Sequence, residues 1–146
     1  MTQVIVKIKR LSPEAKLPKY EHHDDSGADI YSLEECNLEP LQRAAIATGI
    51  SVEIPVGFEI QVRPKSGLAL NHGITVLNTP GTIDAGYRGE IKVILINLGS
   101  ESVLIRKGQK IAQIVVTPIE KVDFVEVMDL VDSARGIGGF GSTGLS

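Results

Sequence analysis

The chain is poor in several residue types, and each shortage excludes a class of protein. Its 146 residues include no tryptophan, three tyrosines, three phenylalanines and one cysteine, Cys36. A single cysteine excludes a disulfide framework and a multi-cysteine zinc site. No apolar run approaches the roughly 18 residues of a membrane-spanning helix, and the N-terminus alternates where a signal peptide needs an unbroken apolar stretch. We therefore expect a cytoplasmic protein with no membrane partner.

Strong charge of one sign is also absent. The chain has 18 acidic and 15 basic residues, which gives a net charge of −3. This balance argues against a broad cationic face for duplex nucleic acid, so no nucleic-acid partner is expected. The hydrophobic fraction of 42% and the length fit one domain with its own core.

Alternation of apolar and polar residues dominates the chain and predicts β-strands with one buried face. Residues 58–62 are the clearest case, and residues 91–96 are apolar on both sides, as in a central or interface strand. Residues 66–70 predict one helical turn and residues 34–41 a loop. Many short strands separated by turns are typical of an all-β sandwich or barrel. The remaining predicted strands cover residues 4–8, 44–47, 50–54, 74–77, 103–105, 111–116 and 122–127.

The C-terminus departs from this pattern. Residues 135–146, RGIGGFGSTGLS, hold five of the 15 glycines and cannot bury enough surface to offset their ordering entropy. The simplest interpretation is a mobile arm. A second one is a nest of backbone N–H groups for phosphate oxygens, with Arg135, Ser142 and Thr143 as further donors. The segment is not a Walker A loop, because the GK[ST] ending is missing.

The stretch around Asp84 carries the densest set of candidate site residues. Asp84 precedes a tight turn between two apolar runs, which predicts a β-hairpin with a carboxylate at its mouth. An aspartate in that position commonly does no more than cap the turn. Nearby, however, Asn78 offers an amide, Gly81 allows close backbone approach, and Tyr87 and Arg88 add a flat face and a cation. Together they form the parts of a pocket for a planar heterocycle on a sugar.

Two further segments are candidate anion sites. Lys65, Ser66 and Gly67 end a predicted strand with a cation, a hydroxyl and free N–H groups. Residues 106–110 are basic and Gln113 follows them, although a solvated turn explains the first two cations of that run.

Two acidic segments are candidate metal sites. The His-His-Asp-Asp run at residues 22–25 is disfavoured, because adjacent side chains on an extended chain point to opposite sides. Asp29 follows a flexible glycine, and such an aspartate is either a turn residue or a magnesium ligand.

Taken in order, five segments resemble the motifs of the trimeric dUTP diphosphatase (dUTPase) family. The third and fifth are long enough that their joint occurrence by chance is negligible, and the resemblance covers nearly the whole chain. The five segments are SGADIYS at 26–32, PKSGLAL at 64–70, NTPGTIDAGYRGEIKV at 78–93, RKGQKIAQI at 106–114 and RGIGGFGSTG at 135–144.

The resemblance implies a distorted jelly-roll β-barrel over residues 1–128 and a flexible C-terminal arm over residues 129–146. It implies a homotrimer whose sites take the hairpin from one subunit, the phosphate-binding segments from a second and the arm from a third. The implied reaction is dUTP + water → dUMP + pyrophosphate with Mg²⁺. That reaction keeps uracil out of DNA and supplies dUMP for dTMP synthesis.

The resemblance also implies a role for each matching residue. Asp84 is the general base that activates water, and Asp29 contacts Mg²⁺ through water. Uracil pairs with Asn78 and the backbone of the hairpin, Tyr87 lies against the deoxyribose, and Phe140 stacks over the base. The full set of implied substrate-binding residues is Lys65, Ser66, Gly67, Asn78, Gly81, Thr82, Ile83, Tyr87, Lys92, Gln113, Arg135, Phe140, Gly141, Ser142 and Thr143.

Three alternatives compete with this interpretation. The related dCTP deaminases carry a catalytic glutamate ten positions after the matching aspartate, where this chain has Ile94, which cannot transfer protons. An inactive trimer serving as a binding module would be expected to have lost a site residue such as Asp84 or Tyr87. A nucleic-acid-binding barrel would need a basic groove with aromatic platforms.

One departure from the family pattern generates a prediction. The second motif most often has arginine where this chain has Lys65, and lysine lacks the bidentate fork of a guanidinium. We expect the Lys65→Arg variant to bind a non-hydrolysable dUTP analogue more tightly than the native protein, as measured by titration calorimetry. Weaker binding by the variant would contradict this.

Overall fold

The computed structural model describes residues 3–144 and is mostly β, as predicted, with one short helix. No helix in that range is both long and apolar enough to cross a membrane. The elements, in chain order, are β1 (Lys7–Arg10), β2 (Ala28–Tyr31), β3 (Cys36–Leu38), β4 (Arg43–Ala47), β5 (Ile50–Glu53), β6 (Phe58–Arg63), α1 (Ser66–His72), β7 (Ile74–Val76), β8 (Gly81–Ile83), β9 (Lys92–Asn97), β10 (Val103–Ile105) and β11 (Lys110–Pro118).

The strands pair antiparallel throughout the described range. The largest sheet has four strands in the order β2-β11-β6-β8, and a second sheet has three in the order β4-β9-β7. Two further pairs, β1-β5 and β10-β3, complete the set. The position of β9 between two neighbours confirms the prediction of a central strand over residues 91–96.

The core follows from the alternation within these strands. Ile60 and Val62 of β6 are buried, and Ile114 of β11 lies directly opposite Val62. Their neighbours Gln61 and Arg63 point to the other face of the sheet. Buried side chains from the four-stranded and three-stranded sheets and from both strand pairs belong to one hydrophobic cluster. The four-stranded sheet therefore leaves a largely polar face free to carry site residues.

Two predictions about strand positions were wrong. Residues 34–41 were expected to be a loop, but Cys36–Leu38 forms β3 and pairs with β10. Residues 122–127 were expected to be a strand, but they have no strand partner within the described chain, and Phe124 is 92% exposed. Alternation shows that a segment can bury one face, whereas a strand also requires an edge to pair with.

The predicted hairpin around Asp84 also takes a different form. The strand before Asp84, β8, pairs with β6, whereas β9 pairs with β4 and β7. The hairpin strands are therefore β7 and β9, and residues 77–91 form a long connection whose middle joins the other sheet. Asp84 lies where this connection passes from one sheet to the other.

Asn97 is a buried polar hub that the sequence did not reveal. Its side chain is fully buried, and its Nδ2 donates to the carbonyls of Leu38 and Glu101 at 2.9 and 2.8 Å. Its Oδ1 accepts the N–H of Gly99 at 2.9 Å. The amide thus joins the end of β9 to β3 and to the turn before β10.

We expect the Asn97→Leu variant to lose roughly 2–4 kcal/mol of unfolding free energy, because three backbone groups would lose their buried partner. Urea denaturation measures the change. The matched control is Asn37→Leu in the exposed middle residue of β3, which should stay within about 0.5 kcal/mol. Equal effects of the two substitutions would contradict the assignment.

Candidate active site

Asp84 lines a pocket of about 300 Å³, which lies where the connection passes from one sheet to the other. Five residues implied by the sequence resemblance meet there: Thr82, Ile83, Asp84, Tyr87 and Lys92. The remaining walls come from the end of the connection and from two strands of the three-stranded sheet, through Ala45, Glu90, Ile91 and Ile94. An exposed carboxylate therefore faces a cavity with a mostly apolar wall.

The turn that presents Asp84 is held by its own backbone and by an arginine. The N–H of Tyr87 donates to the carbonyl of Asp84 at 3.1 Å. The guanidinium of Arg88 donates to the carbonyls of Ala85 and Tyr87 at 2.7 and 3.2 Å. Of Asp84 itself, only the backbone carbonyl takes part in these bonds. Its side chain is not used by the turn, and the residue is exposed beside the pocket.

The connection after this turn is anchored to the neighbouring strands. The carboxylate of Glu90 accepts the N–H of Gly49 at 2.9 Å. The N–H of Ile91 donates to the carbonyl of Ile50 at 2.9 Å, and the hydroxyl of Thr48 donates to the carbonyl of Ile91 at 2.5 Å. These bonds fix the floor of the pocket against the β4–β5 turn.

A second group of site residues lies on the outward face of the four-stranded sheet. Gln113 of β11 is directly opposite Asp29 of β2 on one side and Arg63 of β6 on the other. The register of β11 against β2 shifts between Lys110 and Ala112, which is a β-bulge. The bulge puts Lys110 on the same face as Gln113, although residues three positions apart in a regular strand point to opposite faces.

Asp29 is the centre of an ion-pair cluster on this face. Its side chain is only 4% exposed, because Lys65 contacts Oδ1 at 2.5 Å and Lys110 approaches Oδ2 at 3.4 Å. Lys110 also contacts Glu21 at 2.9 Å. Its hydrogen bond lowers the pKa of Glu21, and the same bond raises the pKa of Lys110. The carboxylate of Asp29 thus holds the ammonium of Lys65 in place.

Gln113 ties this cluster to the loop that carries Lys65. Its Nε2 donates to the carbonyl of Pro64 at 2.9 Å. Gly27 makes room for the carboxamide, since a Cβ at position 27 would lie 2.9 Å from Cδ of Gln113. Beyond Lys65, Ser66 and Gly67 begin α1 and are exposed.

The remaining predicted residues lie apart from these two groups. Asn78 is exposed before β8, and its amide packs over Gly81. In the arm, the Nε of Arg135 donates to the carbonyl of Gly138 at 2.8 Å. Phe140 has a left-handed φ of 53° and is fully exposed. The arm residues curl around a hollow of their own, lined in part by Arg135, Gly141, Ser142 and Thr143.

Within one chain, the Asp84 pocket and the Lys65 cluster are far apart. Ile83 pairs with Ile60, so Asp84 lies beyond one end of the β6–β8 pair. Lys65 follows the opposite end of β6. At about 3.3 Å per residue, the two side chains are on the order of 15–20 Å apart along the strand.

Sequence reasoning missed the residues that support the site. Glu90 anchors the connection, Gly27 seats Gln113, and Glu21 pairs with Lys110, yet none of them stands out in a periodic pattern. Gly27 and Glu90 do lie inside the first and third motif segments, and Lys110 belongs to the basic run at residues 106–110, but these patterns did not reveal the supporting contacts.

Comparison with known proteins decides the family. The family model described as dUTPase matches residues 13–144. The chain belongs to the dUTPase family. Two curated relatives, both named deoxyuridine 5'-triphosphate nucleotidohydrolase, come from Clostridium kluyveri and Clostridium tetani. They are 60% and 57% identical to this chain over 94% and 99% of its length, and cover 96% and 99% of their own.

Solved dUTPase structures share the fold. The dUTPase of Staphylococcus bacteriophage 80alpha with dUPNHPP is 30% identical, has a TM-score of 0.90, and covers 97% of this chain and 99% of its own. A substituted dUTPase from phage phi11 of S. aureus, solved to reveal the coordination of a structural Mg(II) ion, is 26% identical with a TM-score of 0.82. It covers 88% of this chain and 99% of its own.

The Gly27–Gln113 contact generates a prediction for this family member. In Gly27→Ala, the new methyl group displaces the Gln113 carboxamide from Pro64 and loosens the loop that carries Lys65. If Lys65 holds the phosphates, as the family resemblance implies, loss of one such hydrogen bond, at roughly 1–1.5 kcal/mol, corresponds to about tenfold weaker binding of dUPNHPP. Titration calorimetry measures the affinity. In a Gln113→Ala background only the contact with the Cβ of residue 113, at 3.2 Å, remains, so the same substitution should have a smaller further effect. A full additive loss there would contradict the contact's role.

Proposed function

We propose that the protein hydrolyses dUTP to dUMP and pyrophosphate at sites built between copies of the chain. The observation that carries the proposal is the exposed carboxylate of Asp84, which faces a pocket beside Tyr87 in a dUTPase-family chain. In this mechanism Asp84 takes a proton from a water that attacks the α-phosphorus in line. The new oxygen–phosphorus bond forms as the bond to the bridging oxygen breaks, and pyrophosphate leaves.

Substrate recognition divides between the two groups of residues. Asn78 and the backbone of Thr82 and Ile83 pair with uracil, Gly81 allows the base to approach, and the ring of Tyr87 lies against the deoxyribose. Lys92 lines the wall of the pocket. Lys65, Ser66, Gly67 and Gln113 hold the triphosphate. Because Asp29 already positions the Lys65 ammonium, little ordering of that side chain remains for the binding step.

Lys65 and Lys110 approach both oxygens of the Asp29 carboxylate, so a Mg²⁺ ion at this cluster would be held mainly by substrate and reached by Asp29 only through water. Among residues 3–144, no three His, Cys, Asp or Glu side chains are placed so that together they could hold a metal ion. Mg²⁺ commonly binds through one or two carboxylates, several waters and substrate phosphates, so a lone Asp29 acting through water is sufficient. Bound there, the ion would neutralise charge on the triphosphate.

The separation of Asp84 from Lys65 supports a site shared between subunits. A general base must be within hydrogen-bond reach of the water it activates. One chain holds its base and its phosphate-binding lysine at opposite ends of the β6–β8 pair, which is too far for both to act on one triphosphate. A second copy can supply the missing group.

The outward face of β9 supplies a surface for that second copy. Ile94 lies opposite Ala45, and Ile96 lies between Arg43 and Thr75. Both isoleucines are half-buried, and Ile94 also lines the Asp84 pocket. A homotrimer packed through this face would bury them.

The extended segment after β11 supports the contribution of a third copy. It exposes eight large apolar side chains, which is uncommon for a chain that remains alone in water. It leads to the glycine-rich arm, which we place over the site of another subunit, with Phe140 on uracil and Arg135, Gly141, Ser142 and Thr143 on the phosphates. The eight residues are Ile119, Val122, Phe124, Val125, Val127, Met128, Leu130 and Val131.

The deaminase alternative has little support at the pocket. The place where that family carries its catalytic glutamate is Ile94, and this side chain lines the same pocket as Asp84. An alkyl group there can neither donate nor accept a proton, so deamination of cytosine has no acid–base group at that position.

The first test is pyrophosphate release from dUTP, dCTP, dTTP and UTP, each with Mg²⁺. We expect hydrolysis of dUTP alone. Ammonia release from dCTP would favour the deaminase, and no reaction with any of the four by an intact trimer would favour a binding module.

The matching variant is Asp84→Asn, which keeps the shape of the side chain but removes the base. We expect kcat to fall by about 10²–10⁴-fold, with the affinity for dUPNHPP little changed. The control is Asp24→Asn in an exposed loop, which should retain native kcat. Native turnover by the Asp84→Asn variant would remove Asp84 from the mechanism.

A further inference from the structure

The ring of Tyr87 is fixed by the two residues that follow Arg88. Its hydroxyl donates to the carbonyl of Glu90 at 2.9 Å. The end of the ring lies directly over Gly89, where a Cβ would be 2.6 Å from Cζ of the ring. Non-bonded carbons prefer about 3.5 Å or more. Any side chain at position 89 would therefore displace the ring by roughly 1 Å.

Glycine is required at position 89 by the closeness of the Tyr87 ring, and not by the backbone conformation. The φ angle of Gly89 lies outside the left-handed region, so alanine would be accommodated there without backbone strain. Tyr87 lines the pocket, whereas Gly89 does not. Gly89 is thus a seat for the ring outside the pocket itself.

Glu90 connects the backbone next to Gly89 to the rest of the fold. Its carbonyl receives the Tyr87 hydroxyl, and its carboxylate accepts the N–H of Gly49 on the turn between β4 and β5. The next residue, Ile91, donates its N–H to the carbonyl of Ile50. The acceptor that orients the Tyr87 ring is therefore tied to a rigid pair of strands.

We propose that Gly89 and Glu90 are specificity-determining residues, which fix the Tyr87 ring as a rigid wall against the sugar. This inference rests on the proposed function. Exclusion of a 2′-hydroxyl by contact requires a wall that cannot retreat, because a ring free to move by about 1 Å would admit the extra oxygen. The seat at Gly89 and the tether through Glu90 supply that rigidity.

The test is the ratio of kcat/KM for dUTP to kcat/KM for UTP. In Gly89→Ala we expect this ratio to fall at least tenfold, through lower activity on dUTP and higher relative activity on UTP. The matched control is Gly86→Ala in the same connection, where an added Cβ would have no atom of the chain within 4 Å. That variant should keep the native ratio.

A second pair of variants tests the tether without changing a glycine. Glu90→Ala removes the acceptor for the Gly49 N–H and should lower the ratio, whereas Glu90→Gln retains an acceptor oxygen and should restore most of it. This pair decides the question if Gly89→Ala does not fold. A merely structural role would lower activity on both nucleotides equally and leave the ratio unchanged.

The outcomes separate this inference from the proposed function. A native protein that does not hydrolyse dUTP would overturn the function. A native protein that hydrolyses dUTP selectively, with a ratio unchanged in both Gly89→Ala and Glu90→Ala, would overturn the inference alone. A lowered ratio with a native ratio in Gly86→Ala supports it.

Discussion

The register of β6 against its two neighbours determines where the candidate site residues lie. On one edge, β6 pairs with β8 and sends Asp84 to one end of the sheet. On the other edge, it pairs with β11, which places Gln113 beside Arg63 and next to the loop of Lys65. A shift of one residue in either pairing would turn these side chains to the opposite face. The polar residues of the site therefore depend on the packing of Ile60 and Val62 in the core.

The sequence predicted the parts of the fold that depend on local pattern. The alternation at residues 58–62 identified β6, and the doubly apolar run at 91–96 identified a central strand. It could not predict which strands pair, because pairing depends on contacts distant in sequence. For this reason the turn at Asp84 was predicted as a simple hairpin, although β8 joins the sheet of β6. The same limit explains the wrong strand at residues 122–127, where alternation is present but residues 3–144 provide no partner strand.

At the candidate site, the chemistry-bearing residues could be predicted and the supporting ones could not. Asp84, Tyr87 and Lys65 belong to motifs that resemble a family. Glu90 and Gly27 also lie inside such motifs, but they act through a backbone N–H and through empty space, and the motifs do not reveal either role. The bulge at residues 110–112 is a further example, because it puts Lys110 and Gln113 on one face against the usual alternation. Such features depend on three-dimensional contacts, and only the fold reveals them.

If the proposed assembly forms, the exposed apolar segment after β11 makes the completed site depend on the concentration of the protein. In the proposed assembly this segment is buried only when it packs against another copy. A higher protein concentration therefore shifts the equilibrium towards the assembled state, as for any associating system. A single chain would have a complete core but no complete site. Its exposed apolar segment would favour association with an exposed sheet edge. Dissociation on dilution would then separate Asp84 of one copy from the phosphate-binding residues of another.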